Sequence, residues 1–198
     1  MVKKAVAEKP EVVEIKAIDI RMMKITLTGD SPLIMHKWSD KAKKEMLDKQ
    51  MKKAKQAKEA KDPEQQYRDS MYTTPDGGYC FPAVAFKSSA VSACRFSDGI
   101  KMTEARGAFH IVGDMVKIKG EPAMREDMVK INMGTADIRY RGEFKDWSAD
   151  VSIRYNRNAL SAEQIVNLFN IAGFGVGVGE WRPERDGSFG MFHVKSEG

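Results

Sequence analysis

Hydrophobic and polar residues change their period several times along the chain. The run 21–28 alternates over its second half, is rich in strand-forming residues and stops at the turn cluster 29–32, so it predicts a first strand. After Ser39, a good N-cap residue, the segment from Asp40 to about Ala60 is rich in Ala, Lys, Met, Gln and Glu and predicts a long helix. Its apolar residues form only a narrow stripe, so we expect this helix to be largely exposed.

Shorter elements follow in the middle of the chain. Pro63 permits a second, short helix, and the residues around Pro82 predict a short strand followed by a helix rich in Ala and Ser. Beyond it, alternation and turn residues predict two strands around a turn and then a hairpin, in which we place Trp147 in the core. The predicted ranges are 63–71 and 83–96 for the helices, and 79–81, 111–119, 128–131, 138–144 and 147–155 for the strands.

The last part of the chain combines a helix, a glycine-rich segment and a strand. Ser161 and Gln164 have the spacing of a capping box, and the helix they begin is predicted to end at Gly173. Six glycines occupy the segment from Gly173 to Gly190, and a final strand is predicted at 189–195. The order of these elements predicts an α+β fold, with a largely antiparallel sheet and helices on one face.

Length and composition are those of a globular protein. The 198 residues suffice for one domain, which we assign to 19–198, after a flexible arm at 1–18 and with 39–72 as a basic helical insertion. No apolar run approaches the roughly 18 residues that span a membrane, and the N-terminus lacks the apolar stretch of a secretory signal. We therefore expect a soluble, cytoplasmic protein that does not bind membranes, located in the host cytoplasm if it is phage-encoded.

The distribution of charge is more informative than the net charge of +5. Segment 41–61 holds nine lysines against three acidic residues, which makes it +6 and leaves the rest of the chain near neutral. Cys80 and Cys94 fit no zinc pattern, and we expect both to be packed, reduced thiols. The histidines are too scattered to suggest a metal site, so we predict neither a metal nor a cofactor.

The segment from Gly173 to Gly190 is the densest candidate for a functional site. It follows a helix and leads to a strand, which excludes the dinucleotide-binding fingerprint, and it lacks the Gly-Lys-Ser/Thr of a Walker loop. What remains is a loop with exposed N–H groups, a tryptophan able to stack at Trp181, and the cations Arg182 and Arg185. That combination suits a nucleic-acid backbone or a neighbouring protein chain. The competing interpretation is that the glycines merely permit tight packing of helix on sheet.

Three segments carry a family resemblance: 177–183 with 187–190 (GVGEWRP and GSFG), 79–90 (YCFPAVAFKSSA) and 27–33 (LTGDSPL). In that order they resemble the C-terminal glycine-rich loop, the short strand with its following helix, and the first-strand exit of the RAMP superfamily, the RNA-binding subunits of CRISPR effector complexes. The chain is also similar in style to phage and prophage proteins with the same loop. The resemblance implies a ferredoxin-like (RRM-like) sheet.

The resemblance further implies sequence-tolerant binding of single-stranded nucleic acid, DNA or RNA, by copies that repeat along the strand as a ring or filament. A phage recombination or strand-annealing factor fits this description. For each contact a surface or core role is the alternative: a solvated face for the lysines, and salt bridges to Glu143 or Asp146 for Arg139 and Arg141. The candidate contacts are Lys41, Lys44, Lys52, Lys55, Arg139, Arg141, Arg154, Arg157, Gly177, Gly179, Trp181, Arg182 and Arg185.

Two other functions remain open. A relative within the superfamily cuts RNA with a histidine or an aspartate near the first-strand exit, and the residues here that correspond are His36 and Asp30. They make a metal-independent RNA endonuclease an alternative, although we favour a protein without catalytic activity. The third possibility is a structural subunit in which the arm 1–18 and the glycine-rich loop are contacts between copies.

Overall fold

The computed structural model describes residues 17–53, 60–131 and 134–196. The predicted arm lies outside these residues except for its last two positions, and Lys55 lies outside them as well. The helices are α1 Asp40–Gln50, α2 Pro63–Asp69, α3 Ala83–Ala93, α4 Met102–Ala108 and α5 Ala162–Gly175. The strands are β1 Ile20–Gly29, β2 Leu33–Met35, β3 Tyr72–Thr73, β4 Tyr79–Pro82, β5 Phe109–Ile111, β6 Met115–Lys119, β7 Pro122–Ile131, β8 Thr135–Phe144, β9 Ser148–Asn156 and β10 Phe192–Val194.

The main sheet is antiparallel and has helices on one face. Its order is β10-β1-β9-β6-β4-β3. One edge of β9 pairs with β1. The other edge pairs with β6 at the start of β9 and with β5 near its end. The sheet can carry helices on one face because its strands alternate: Ile25 and Leu27 of β1 are buried, while Lys24 and Thr26 point to the opposite, open face. β9 follows the same rule across its whole length. The α+β, antiparallel prediction is thus confirmed.

The predicted hairpin of 138–144 with 147–155 is wrong. β8 pairs with β7 and β2 in a separate three-stranded sheet, and β9 pairs with β1 in the main one. The chain changes sheet between Phe144 and Ser148, where the buried Trp147 donates its indole N–H to the Ser31 carbonyl at 2.9 Å. Trp147 in the core was predicted and is confirmed. The sequences of two neighbouring alternating strands do not indicate which strand each one pairs with.

Helices α3 and α5 cover the main sheet. Phe86 of α3 and Phe169 of α5 are fully buried beneath it, together with Phe192 of β10. The capping box at Ser161 is confirmed, with both of its hydrogen bonds formed. The helix continues past its predicted end to Gly175. Gly173 lies inside the helix, at a position where the Phe192 carbonyl leaves no room for a Cβ. Helix α4 and strand β5 were not predicted.

Helix α1 is the opposite case. Ser39 caps it as predicted, accepting the Ala42 N–H at 3.2 Å, and none of its residues is buried. The expected exposure of this helix is therefore confirmed, although its described helical part ends at Gln50. No helix in the described ranges is both long and apolar enough to cross a membrane. Cys80 and Cys94 are buried free thiols, as predicted, and burial raises the pKa of both.

Candidate functional site

The glycine-rich loop, residues 176–191, runs back from α5 along the segment that joins β1 to β2. The backbone hydrogen bonds that fasten it include Val178 N–H to the Gly190 carbonyl at 3.0 Å, Gly190 N–H to the Pro32 carbonyl at 2.8 Å, and Glu180 N–H to the Ile34 carbonyl at 3.1 Å. The loop is consequently bound both to itself and to the exit of the first strand.

Close backbone approach explains the glycines. Gly190 has φ 65, and a Cβ there would overlap the Val178 carbonyl oxygen. Gly179 has φ 82, and a Cβ would lie 2.6 Å from the Ile34 carbonyl oxygen. Both positions therefore exclude a side chain twice over, by conformation and by space. Close packing of the loop against itself and against β2 accounts for these two glycines.

The predicted set of exposed N–H groups is largely absent, because most of the loop's donors have protein partners. Gly177, for example, is buried and donates to the Ala172 carbonyl at 2.7 Å. A phosphate would find few of these groups free. The loop residues whose N–H donates to another backbone carbonyl are Val176, Gly177, Val178, Glu180, Glu184, Arg185, Asp186, Gly187, Phe189 and Gly190.

Trp181 stands apart from the rest of the loop. Its backbone is left-handed, with φ 54, and its side chain is 43% exposed. The Phe189 N–H donates to the Trp181 carbonyl at 3.0 Å, and Gly187 packs so closely against that carbonyl that a Cβ would overlap it. The loop thereby holds an unusual conformation in a bulky residue and presents its ring to solvent.

The two loop arginines differ in availability. Arg182 pairs with Glu184 at 3.1 Å and also donates to the Gly179 carbonyl at 3.2 Å, and Glu184 in turn pairs with Arg95 at 2.6 Å. Partial burial favours the neutral acid, but the hydrogen bonds from Arg182 and Arg95 hold the pKa of Glu184 below its ordinary value. Arg185 is exposed and forms no ion pair within the described part of the chain.

A cleft of about 230 Å³ lies between this loop and the first half of α3. His36 and Glu180 face each other in it, with Nδ1 and Oε1 3.0 Å apart, and Ser88 and Arg182 also line it. The hydrogen bond from His36 lowers the pKa of Glu180, helped by the charges of nearby arginines. Trp38, two residues after His36, is 50% exposed. Glu180 was not predicted, since nothing in the sequence relates it to His36.

The second candidate catalytic residue has a different partner. Asp30 Oδ1 lies 2.7 Å from His193 Nδ1, at the junction of β1 and β10. The structure therefore gives His36 and Asp30 separate carboxylate–histidine pairs instead of combining them. Among the residues described, no three His, Cys, Asp or Glu side chains group closely enough to hold a metal ion.

The remaining candidate contacts fall into exposed and buried groups. Lys41, Lys44 and Lys52 are exposed on or just after α1, and Arg154 and Arg157 are exposed at the end of β9. Whether any of them contacts a nucleic acid stays a prediction.

Arg139 and Arg141 are not equivalent. Arg139 is half-buried and lies 3.6 Å from Asp137. Arg141 is only 4% exposed and pairs with Asp127 at 3.0 Å, so its guanidinium does not face solvent, and its Nε has no partner. The alternative partners Glu143 and Asp146 were wrong for both, because Arg125 binds Glu143 and stacks on Phe189.

Comparison of the sequence with models of known protein families and with curated proteins finds no match. Comparison with solved structures finds a chain of the Type III-B Cmr-beta bound to cognate target RNA, at a TM-score of 0.56 and 10% identity. The two chains share a fold. The match covers 89% of this chain and 59% of the other, so this chain spans about three-fifths of the length of its relative.

A second similar structure is Cmr6 from Pyrococcus furiosus, which has 10% identity and a TM-score of 0.48 over 90% of this chain and 100% of its own. The fold that the sequence motifs suggested is confirmed by the chain of the Type III-B Cmr-beta, with which this chain shares it. The target RNA in the Cmr-beta structure is a ligand of that complex.

Proposed function

We propose that this protein binds single-stranded nucleic acid with little sequence preference, and that Trp181 stacks on a base. The observation that carries the proposal is a tryptophan that is 43% exposed and has φ 54. Stacking on an aromatic side chain is worth about 1–3 kcal/mol per base and tolerates any sequence, because every base has a π face.

The conformation of Trp181 costs stability. A left-handed backbone disfavours an L-residue by about 1–2 kcal/mol, and the cost is not recovered by burying the ring. Residues held in such conformations cluster at ligand-binding sites. Trp38 is a second exposed tryptophan, two residues after His36, and His36 pairs with Glu180, the residue before Trp181.

Cations lie near these rings along the chain. Arg185 is exposed without an ion pair among the described residues, and the lysine-rich α1 begins directly after Trp38 and Ser39. Cations of this kind supply the salt-dependent part of nucleic-acid affinity. The fold shared with a chain of an RNA-bound complex also supports the proposal.

The test is a binding titration of the full chain with fluorescent single-stranded DNA and RNA over several salt concentrations. We expect affinity that falls as salt rises, and a loss of about tenfold in Trp181→Ala, which corresponds to roughly 1.4 kcal/mol of stacking. Trp181→Phe keeps most of the affinity. Binding that is absent, or insensitive to both salt and Trp181→Ala, would contradict the proposal.

Phe174→Ala is the matched control. Phe174 is an aromatic residue 77% exposed at the end of α5, outside the loop that carries Trp181. Its removal is expected to leave binding unchanged, so an equal loss in both variants would point to a general effect of surface aromatics. Thermal unfolding of each variant shows whether the fold is retained.

The proposal includes assembly along the strand, with annealing of complementary strands as the biological activity. Copies that bind side by side give complexes whose mass rises with oligonucleotide length, which mass photometry measures. Annealing is read from fluorescence transfer between two labelled complementary strands. Complexes of one copy at every length would contradict the assembly.

The His36–Glu180 pair favours a second candidate, a metal-independent RNA endonuclease. The imidazole would act as general base on a ribose 2′-hydroxyl, oriented by the carboxylate 3.0 Å from its Nδ1. Such a group typically contributes about 10²–10⁴-fold to the rate. Cleavage of RNA in the presence of EDTA that disappears in His36→Ala would support this activity, and an unchanged rate would eliminate it.

A further inference from the structure

Four basic residues, Lys87, Arg106, His110 and Arg154, lie on α3, α4, β5 and β9. Lys87 is on the far side of α3 from the residues that line the cleft. Lys87 of α3 has its Nζ 3.0 Å from His110 Nδ1 and 3.0 Å from the Arg106 carbonyl oxygen. His110 of β5 is the cross-strand partner of Arg154 on β9, so the two side chains point to the same face of the sheet. Three of the four residues are exposed: Arg106, His110 and Arg154.

The described part of the chain provides no acid for this cluster. None of its carboxylates forms an ion pair with Lys87, Arg106 or Arg154, whereas Lys24, Lys117 and Lys119 of the main sheet each have such a partner. Burial lowers the pKa of Lys87, while burial and then the charges of Lys87 and Arg154 lower the pKa of His110. Burial and the neighbouring cations thus disfavour the charged form of His110, and a bound anion would offset that cost.

The hydrogen bond itself shows how an anion would enter. When the Lys87 ammonium donates to Nδ1, the imidazole must be neutral at that nitrogen. A group with several acceptor oxygens between the two would let the ammonium donate to it instead. Nδ1 would then be free to take up a proton and become a donor as well.

We propose that Lys87, His110 and Arg154 bind a phosphate group. The Lys87 ammonium of α3 contacts the His110 ring of β5, and Arg154 is the cross-strand neighbour of that histidine on β9. Three such donors suit the several oxygens and compact charge of a phosphate. Binding is coupled to uptake of a proton by His110. The phosphate comes either from free inorganic phosphate or from the backbone of a nucleic-acid strand.

This site goes beyond the stacking proposed at Trp181 and does not depend on it. If a strand supplies the phosphate, the neighbouring cations continue its path over the open face of the sheet. Lys24 of β1 lies opposite Ser152, two residues from Arg154 along β9, and Lys119 of β6 lies opposite Ser148. From Arg154 to Ser148 the strand extends about 20 Å, since each residue of a strand advances about 3.3 Å.

The test is an NMR titration of the histidine rings against pH. Spectra are recorded in chloride, in inorganic phosphate at equal ionic strength, with a dinucleotide containing one phosphodiester, and with a nucleoside as the phosphate-free control. We expect phosphate to raise the pKa of His110 by about one unit, because an opposite charge at contact distance favours the imidazolium. His36 and His193 serve as internal references.

The titrations with inorganic phosphate and with the dinucleotide distinguish a free phosphate ion from a nucleic-acid backbone. A shift with the dinucleotide as well as with inorganic phosphate assigns the site to a nucleic-acid backbone, and a shift with inorganic phosphate alone assigns it to the free ion. A His110 response no larger than those of His36 and His193 in every arm overturns the proposal.

Two variants test the cation set. Lys87→Met and Arg154→Gln are each expected to reduce the phosphate-induced shift to less than half. Arg154→Gln is an exposed substitution and keeps the test valid if Lys87→Met fails to fold. Arg68→Gln, which removes an exposed arginine of α2, is the matched control and should retain the full shift. A full shift in Arg154→Gln would overturn the role of the guanidinium and with it the site.

Discussion

The glycine-rich loop and helix α1 were both predicted from the sequence to contact nucleic acid. In the structure, the loop is packed against the rest of the protein, whereas the helix is exposed. The loop is fastened by backbone hydrogen bonds to its own residues and to β2, and its glycines lie against carbonyl groups. Helix α1 has no buried residue. In this chain, a high density of glycine reports close approach of backbones, and a high density of lysine reports exposure to solvent.

The largest expected effect is that of a side chain placed inside the loop. Gly190→Ala forces an alanine to φ 65 and directs its Cβ into the Val178 carbonyl oxygen. We expect a loss of about 3 kcal/mol or more in the free energy of unfolding, of which the conformation alone accounts for about 1–2 kcal/mol. Chemical denaturation measures the change.

Gly107→Ala is the control for this substitution. Gly107 lies in α4, has no atom within 4 Å of the position a Cβ would take, and has an ordinary helical φ. Alanine should stabilise that helix by about 0.5–1 kcal/mol. Similar losses in Gly107→Ala and Gly190→Ala would show that the loop is not specially packed.

The next effect compares two helix caps of the same chemistry. Ser161 caps α5, whose apolar face is buried, so Ser161→Ala should lower the global free energy of unfolding by about 1 kcal/mol. Ser39 caps α1, which buries nothing, so Ser39→Ala should change only the local protection of α1 in hydrogen exchange. An equal global loss in both variants would show that α1 is part of the cooperative fold.

Charge removal on α1 should act on binding and leave stability unchanged. Lys44→Gln with Lys52→Gln is expected to shift the free energy of unfolding by less than about 0.5 kcal/mol. If both lysines contact phosphates, the slope of log affinity against log salt falls by about one to two. Lys101→Gln, an exposed lysine before α4, is the control. An unaltered slope would assign the α1 lysines to a solvated surface.

The smallest expected effect is acid weakening of the loop. The pKa of Glu184 is lowered in the folded protein. Its ion pairs therefore add stability at pH values above the pKa of an unfolded glutamate, which is about 4.3. This stability is lost as the pH falls through the lower pKa of the folded state. Relative to Glu184→Gln, the protein should gain less than about 1 kcal/mol at pH 7 and nothing near pH 2. Asp40→Asn on α1 should leave the global transition unchanged at both pH values. A Glu184→Gln difference independent of pH would contradict the ion-pair explanation.

Local signals in the sequence were sufficient for several elements of this fold. The caps at Ser39 and Ser161, the alternation of β1 and the buried Trp147 each depend on residues close together in the chain, and all are confirmed. The pairing of β8 with β7 is different. Strand partners are chosen by contacts far apart in sequence, and two neighbouring alternating runs look like a hairpin whether or not they pair.

The candidate site shows the same division. Trp181 and the arginines beside it were visible in the sequence, but their availability was not, because it depends on Glu184, Gly187 and Phe189 around them. The pairing of His36 with Glu180 joins residues 144 positions apart. Arg141 looked like a surface cation and is buried, since its partner Asp127 comes from the neighbouring strand. Composition records which charges exist, and only the fold decides which of them face water.

The position of β1 has a consequence for how the protein is made. This strand lies between β9 and β10, so its residues from Leu27 to Gly29 pair with strands that the ribosome delivers more than a hundred positions later. Contacts of such separation form slowly, because a long loop must close before they contribute. The edges of β1 therefore stay unpaired until β9 and β10 have been synthesised. We expect nascent chains that stop before Phe192 to require chaperones.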